Sequence, residues 1–96
     1  MNKFYLFSKT SCGPCALVDK YMVAIKDERT SLLEKVDLED FSDTPIPQEN
    51  LDLASKYGVT ATPVLIITDA DGIKLEEKVG GMQITQNIRK LFDQYA

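Results

Sequence analysis

The stretch "KFYLFSKTSCGPCAL", residues 3–17, determines how the 96-residue chain is organised. Lys3–Ser8 contains a run of aromatic and aliphatic residues that is apolar on both alternating faces, which is typical of a strand buried within a sheet. The only two cysteines of the chain, Cys12 and Cys15, follow with a glycine and a proline between them. Pro14 has the fixed φ and missing N–H that suit the first turn of a helix. The stretch therefore predicts a buried strand, a short turn and a helix that begins at the cysteine pair.

The apolar spacing along the rest of the chain alternates between helical and extended periods. Helices are predicted at about Gly13–Asp27, Gln48–Tyr57 and Ile84–Tyr95. Strands are predicted at Lys3–Ser8, Leu33–Glu39, Pro63–Thr68 and Ile73–Val79. The turn residues Asp69–Gly72 favour a hairpin between the last two strands, Asp40–Gln48 is expected to be an exposed loop, and Gly58 is expected to cap the second helix. The resulting order, βαβαββα, predicts a single α/β domain over residues 1–96, with a four-stranded mixed sheet and helices on both faces.

Hydrophobic positions also predict which helix faces are buried. The last helix is expected to place its apolar residues on one side, namely Ile84, Ile88, Leu91, Phe92 and Tyr95. In the first helix the repeat at three- and four-residue spacing is carried by Leu17, Tyr21, Ala24 and Ile25. Cys15, Val18 and Met22 widen that stripe, so the first helix is expected to be covered on much of its surface.

Composition excludes several classes of function. A net charge of -4 with no histidine argues against a nucleic-acid-binding surface, which needs clustered Lys and Arg. No apolar run approaches the roughly 20 residues of a membrane span, and the first residues lack the apolar segment of a signal peptide. With 44% apolar and 27% charged residues, the chain is expected to be a soluble, cytoplasmic monomer.

A pair of cysteines separated by two residues can bind a metal, form a structural disulfide or exchange electrons. A closed zinc site needs four ligands drawn mainly from Cys and His. The chain has two cysteines and no histidine, so a metal would have to be shared with a second chain or an external thiol. A disulfide between residues so close together closes a very short loop and constrains the unfolded chain little. Redox exchange is therefore favoured, without a metal.

The position of the pair predicts different tasks for the two sulfurs. Cys12 is expected at the helix N-terminus, where free backbone N–H groups and the positive end of the helix dipole stabilise a thiolate. Such settings lower a cysteine pKa from about 8.5 into the range of roughly 3.5–7.5. Cys15, one turn further along, can reach Cys12 but is expected to be more covered. The pattern thus predicts an exposed attacking thiol and a protected resolving thiol.

Three stretches of the sequence resemble the thioredoxin family. The first is "CGPC", Cys12–Cys15, at the start of a helix that follows a buried strand. The second is "KYGVTATPVLII", Lys56–Ile67, which is similar to the segment in which a helix end leads to a cis-proline that opens the next strand. The third is "KVGG", Lys78–Gly81, which is similar to the family's Val-Gly before its last helix. Together they span almost the whole chain in the expected order, and the chain most resembles the small, glutaredoxin-like thioredoxins.

The resemblance implies a thioredoxin-like fold and a thiol–disulfide oxidoreductase that reduces protein disulfides. It implies that Cys12 attacks the substrate disulfide and that Cys15 then releases the reduced substrate. It also implies a cis peptide bond before Pro63 and a flat substrate-binding surface of small residues and backbone around the sulfurs. The residues at these positions are Gly13, Pro14, Ala61, Thr62, Pro63, Gly80 and Gly81.

The expected partners are protein disulfides and an external reductase, such as thioredoxin reductase. No nucleotide-binding motif is present, so no cofactor is expected beyond the Cys12–Cys15 disulfide itself. Small thioredoxins of the kind that the chain resembles supply electrons to ribonucleotide reductase. A glutathione-dependent glutaredoxin is an alternative, although Met82 and Gln83 stand where that group usually has an acidic residue. A protein-binding module with incidental redox activity is the other alternative.

The chain departs from the family pattern at several positions. It is expected to begin at the family's second strand, and Ser11 stands where thioredoxins usually have Trp. Leu6 stands where the family has a buried Asp that accepts the proton of the second cysteine. Lys35, in the neighbouring predicted strand, is expected to be solvated rather than to assist Cys15. Resolution by Cys15 is therefore expected to depend on solvent access.

Overall fold

Four strands and three α-helices alternate along the chain in a computed structural model, which describes residues 1–39 and 45–96. The strands are β1 (Lys3–Ser8), β2 (Leu33–Asp37), β3 (Val64–Thr68) and β4 (Lys74–Val79). The helices are α1 (Gly13–Ala24), α2 (Gln48–Lys56) and α3 (Gly81–Tyr95), and a 3₁₀-helix spans Glu28–Leu32. The predicted order βαβαββα is confirmed. Most of the predicted loop at Asp40–Gln48 lies outside the described residues.

The strands form one sheet in the order β2-β1-β3-β4. β1 pairs in parallel with β2 and antiparallel with β3, and β3 pairs antiparallel with β4, so the sheet is mixed as predicted. Leu6 is opposite Lys35 on one side and Leu65 on the other. The two central strands are the apolar β1 and β3, whose side chains are buried on both faces apart from Lys3.

Alternate side chains of the central strands pack into two clusters, one on each face of the sheet. Phe4 and Leu6 point toward α1 and α3, where Ile88 and Phe92 complete the first cluster. The second cluster, against α2, contains Tyr5, Phe7, Val36, Leu38, Ala54, Val64 and Ile66. Helices therefore cover both faces, because a sheet that is apolar on both sides must bury both.

The buried face of α1 differs from the leading prediction. Leu17 is 65% exposed, whereas Val18 and Met22 are buried against the sheet with Cys15. Tyr21 and Ile25 are partly buried, and Ala24 is exposed. A helix lying on one face of a sheet buries a single stripe, and the stripe that α1 buries begins at the second cysteine.

Glycines lie at the end of α2 and at the start of α3, and the start of α3 differs from the prediction. Gly58 has a φ of +66° after α2, which confirms the predicted cap. α3 begins at Gly81, three residues before the predicted start, because Gly80 adopts a φ of +93° and its carbonyl accepts the N–H of Ile84. The glycine pair therefore starts the helix as well as ending the strand.

Membrane insertion is not supported by any of the described helices, since none has both the length and the apolar character that a span requires.

Asp27 caps the 3₁₀-helix that leads into β2, with its carboxylate accepting the backbone N–H of Arg29.

Core truncation tests the corrected orientation of α1. Replacing Met22, which lies on the buried face of α1, with Ala should lower the free energy of unfolding by about 2–5 kcal/mol, through lost burial and a residual cavity. Leu17→Ala, at the exposed position, should change it by less than about 0.5 kcal/mol. Urea unfolding of both variants measures the difference. Equal losses would contradict the orientation described here.

Asp27 gives a pH dependence with a defined sign. The guanidinium of Arg29 donates to its carboxylate and holds the pKa of Asp27 at about 2, below the ordinary value of 3.8. A depressed pKa means that this group stabilises the fold at pH values above its unfolded pKa and loses that contribution as pH falls toward the folded value.

We therefore expect Asp27→Asn to be less stable than the wild type at neutral pH, and the gap to narrow between about pH 4 and pH 2. Urea unfolding across that range measures the gap. Asn keeps an acceptor for the Arg29 N–H, so a gap that stays constant with pH would assign the loss to something other than the carboxylate charge.

Candidate active site

Cys12 and Cys15 are joined by a disulfide at the start of α1, with their Cα atoms 5.2 Å apart. Cys12 is the N-cap residue, in an extended conformation, and is partly exposed. Cys15 lies one turn into the helix and is only 2% exposed. The two sulfurs therefore differ in access, as the sequence predicted, because Cys12 lies at the partly exposed start of α1 and Cys15 lies on the face of α1 that is buried against the sheet.

A backbone N–H group contacts the sulfur of Cys12. The backbone N–H of Cys15 donates to Cys12 Sγ at 3.2 Å, so the sulfur occupies the position that a capping oxygen takes in other helices. The first turn of α1 contains no acidic residue, so no carboxylate there competes for this N–H. When the disulfide is reduced, this N–H and the helix dipole favour negative charge on Cys12.

The segment before β3 forms the wall opposite the disulfide. The Thr62–Pro63 peptide bond is cis, as the resemblance implied. The carbonyl oxygen of Thr62 lies 3.7 Å from Cys12 Sγ, and Ala61 beside it is exposed. The backbone of this segment thus lies beside the partly exposed sulfur.

The glycine pair closes the ring of predicted surface residues. Gly80 N–H donates to the carbonyl of Pro63 at 2.9 Å. A Cβ atom at Gly81 would lie 3.4 Å from the carbonyl oxygen of Pro14, so a small residue there lets α3 start close against α1. The residues predicted for this surface are therefore brought together around the disulfide, but the Pro63 side chain is fully buried, and the contact of the others with substrate remains a prediction. Those residues are Gly13, Pro14, Ala61, Thr62, Pro63, Gly80 and Gly81.

An apolar groove beside this ring was not predicted. It has a volume of about 400 Å³ and lies between α1 and α3. Leu17 and Met82, which is 71% exposed, are its most accessible apolar residues. The groove is lined by Pro14, Leu17, Val18, Gly81, Met82 and Thr85. Leu17 does not belong to the stripe formed by Cys15, Val18 and Met22, which α1 buries. Its position outside that stripe is the only feature of the sequence that indicates its exposure.

Leu6 is 3% exposed and belongs to the apolar cluster under α1, so no carboxylate occupies that position in the core. Lys35, its neighbour in β2, has a side chain that is 54% exposed, and its Nζ donates to Asp19 Oδ2 at 2.7 Å. The expectation that Lys35 is solvated is confirmed. Its ion pair with Asp19 was not predicted, because it depends on how α1 packs over β2.

Metal binding gains no support from the part of the chain that the structure describes, where His, Cys, Asp and Glu form no group of three or more suited to a metal ion. On the other side of the disulfide, Ser11 Oγ donates to Glu39 Oε2 at 3.0 Å. The carboxylates of Glu39 and Asp19 therefore both contact other protein groups, Glu39 with Ser11 and Asp19 with Lys35.

A dithiol–disulfide pair at the start of a helix, beside a cis-proline, defines the class of protein. A family model described as a thioredoxin-like domain matches residues 2–96, and the chain belongs to that family. The fold and the Cys12–Cys15 pair together support its assignment as a thiol–disulfide oxidoreductase.

Solved structures agree with this assignment. A mutant thioredoxin from Halobacterium salinarum is 29% identical, with a TM-score of 0.69 over 98% of this chain and 74% of the other. Thioredoxin from Fasciola hepatica is 24% identical, with a TM-score of 0.71 over 99% and 81%. Reduced thioredoxin pre-protein from Schistosoma mansoni is 22% identical, with a TM-score of 0.71 over 99% and 79%. The last two show the fold alone. Comparison with curated proteins gave no match.

Single-cysteine variants test the division between the sulfurs. Cys15→Ser should accumulate a mixed disulfide through Cys12, because Cys12 is accessible and its thiolate is favoured, while the resolving thiol is gone. Cys12→Ser should react at least about tenfold more slowly, because Cys15 is buried. Mass spectrometry after incubation with a small aromatic disulfide measures both adducts. Faster reaction of Cys12→Ser would reverse the assignment.

Proposed function

We propose that the protein is a protein-disulfide reductase that acts by dithiol exchange through Cys12 and Cys15. The observation that carries the proposal is the unequal access of two sulfurs that are close enough to bond. Cys12 is partly exposed beside the Thr62 carbonyl, and Cys15 is 2% exposed one turn behind it. A metal site or a purely structural disulfide gives no reason for the two sulfurs to differ in access.

The exchange begins from the reduced protein. Cys12 thiolate attacks one sulfur of the substrate disulfide, forming a Cys12–substrate disulfide and releasing the other substrate sulfur as a thiolate, which takes up a proton. Cys15 then loses its proton and attacks Cys12 Sγ. The Cys12–Cys15 bond forms, the bond to substrate breaks, and its electron pair leaves with the second substrate sulfur. The substrate gains two electrons and the protein is oxidised to the observed disulfide.

Substrate is held, in this proposal, by the ring of small residues and backbone around the disulfide. An extended substrate segment adds to the exposed backbone at Ala61 and Thr62, which is a short form of strand addition. Gly13 and Pro14 contribute the flat surface on the helix side, together with Gly80 and Gly81. The absence of bulky side chains at these positions allows a folded protein to bring its disulfide near Cys12.

An external reductase, such as thioredoxin reductase, returns electrons to the disulfide, and no further cofactor is needed. The protein is proposed to work in the cytoplasm as a monomer, and ribonucleotide reductase is one candidate substrate. Glutathione is a less suitable reductant, because the first turn of α3 has no acidic residue to hold its amino group. Met82 and Gln83 are exposed there instead.

Insulin reduction tests the proposal and separates the reductants. We expect turnover with thioredoxin reductase and NADPH, and little turnover with glutathione, glutathione reductase and NADPH. The Cys12→Ser, Cys15→Ser double variant is the matched control and should be inactive in both arms, since exchange requires both sulfurs. Turnover in the glutathione arm alone would favour a glutaredoxin. Inactivity of the folded wild type in both arms would instead favour a protein-binding module.

A further inference from the structure

The apolar groove between α1 and α3 takes no part in the exchange described above. Leu17 of α1 and Met82 of α3 line it, and their side chains are 65% and 71% exposed. These two residues are distant in sequence, yet they meet at one groove of about 400 Å³. Apolar side chains that are grouped on the surface of a soluble domain are typical of a binding site.

The floor of the groove lies where α3 begins against α1. A Cβ atom at Gly81 would lie 3.5 Å from Cβ of Pro14 and 3.6 Å from a methyl group of the fully buried Val18. Thr85, which has the one polar side chain of the lining, donates its hydroxyl to the carbonyl of Met82 at 3.3 Å. The lining is therefore uncharged and its hydroxyl is already bonded, so the groove favours an apolar occupant.

The groove is continuous with the surface around the disulfide, because Pro14 and Gly81 belong to both. Leu17 lies three residues after Pro14 on the same face of α1, so the groove leads away from the disulfide along the helix. From Cys12 at the N-cap to Leu17, α1 rises by about 7.5 Å. Two residues of an extended chain span about 6.6–6.8 Å, and side chains two residues apart point the same way. A substrate cysteine bonded to Cys12 therefore brings the side chain two residues away within reach of the groove.

The opposite side of the disulfide is charged. There Ser11 donates to Glu39 at 3.0 Å, and Lys35 of β2 pairs with Asp19 of α1 at 2.7 Å. Charged side chains near the cysteines thus lie on the β2 side of α1, and the uncharged groove lies on its α3 side. A bulky apolar side chain of a bound substrate is therefore favoured on the α3 side, where its burial displaces water without stripping a charge of hydration.

We infer that the groove binds a large apolar side chain of the substrate, two residues from the cysteine that bonds to Cys12, and that Leu17 and Met82 determine this specificity. The inference rests on the proposed function and adds a substrate class to it, namely disulfides whose cysteine has such a side chain two residues away. Met82 suits this task because its flexible, polarisable side chain adapts to apolar groups of different shape. The groove binds the side chain as Cys12 attacks, and the bonds that form and break are those already described.

A matched pair of peptide disulfides tests the inference. The peptides Phe-Gly-Cys-Gly-Phe and Ser-Gly-Cys-Gly-Ser, with blocked termini, are each oxidised to the symmetric disulfide. Reduced protein is mixed with each disulfide, and chromatography of acid-quenched samples measures the release of peptide thiol. Each rate constant is divided by that of the same peptide with dithiothreitol, which removes differences in intrinsic reactivity. The wild type is compared with the double variant Leu17→Gln, Met82→Gln. Val23→Gln is the matched control, because Val23 is 78% exposed on α1 and lies outside the groove.

We expect the wild type to reduce the Phe peptide at least about fivefold faster than the Ser peptide, because part of the Phe ring leaves water in the groove. The double variant should lower this ratio to below about twofold, since glutamine offers less apolar surface to the ring. Val23→Gln should keep the wild-type ratio. All three positions are exposed, so the variants are expected to fold as the wild type does, and urea unfolding checks this.

Equal rates for the two peptides in the wild type, or equal ratios in the wild type and the double variant, would overturn the role of the groove while leaving the proposed function intact. An equal fall of the ratio in Val23→Gln would assign the preference to general surface hydrophobicity and also overturn it. A concentration-dependent dimer that sedimentation detects in the wild type but not in the double variant would assign the groove to a second copy of the chain instead. A wild type that reduces neither peptide nor insulin would overturn the proposed function, and this inference with it.

Discussion

The burial of β1 on both faces is the constraint on which the rest of the molecule depends. β1 pairs with β2 on one side and β3 on the other, and its alternate side chains enter two separate clusters. A strand so enclosed can reach solvent only at its ends, and its buried run ends at Ser8. The chain must turn there and pass back over the sheet to reach the parallel β2, so α1 begins at the carboxyl end of β1. Its first turn holds the two cysteines.

The same topology brings the remaining parts of the site to that end. β3 runs antiparallel to β1, so its first residue, Val64, lies opposite Phe7, and the proline before it lies near the cysteines. β4 runs antiparallel to β3 and ends with Val79 opposite Val64, which places the glycine pair beside Pro63. Three segments that are distant in sequence meet because adjacent antiparallel strands begin and end together. The disulfide at the start of α1 therefore lies beside the backbone of the segments that contain Pro63 and the glycine pair.

The positions of the charged side chains near the disulfide reflect the free-energy cost of burying a charge. A carboxylate inside the apolar cluster would lose its hydration without a partner, and the core position beside α1 is instead filled by Leu6. Acidic side chains lie at the rim, where Asp19 pairs with Lys35 and Glu39 accepts from Ser11. An acid at the rim keeps its contact with water and costs the fold little.

The sequence by itself determined the order of the elements and the position of the cysteine pair. Lys3–Ser8 is predicted and observed with the same bounds, and the helix start at Gly13 is also as predicted, because strand period, turn residues and Pro14 act locally. Only the tertiary structure decided which stripe of α1 is buried and that Asp19 meets Lys35. α1 is apolar around much of its circumference, so its spacing does not select a face. That choice is made by packing against β1 and α3, since contacts between distant segments depend on sheet register and helix rotation, which no local pattern encodes.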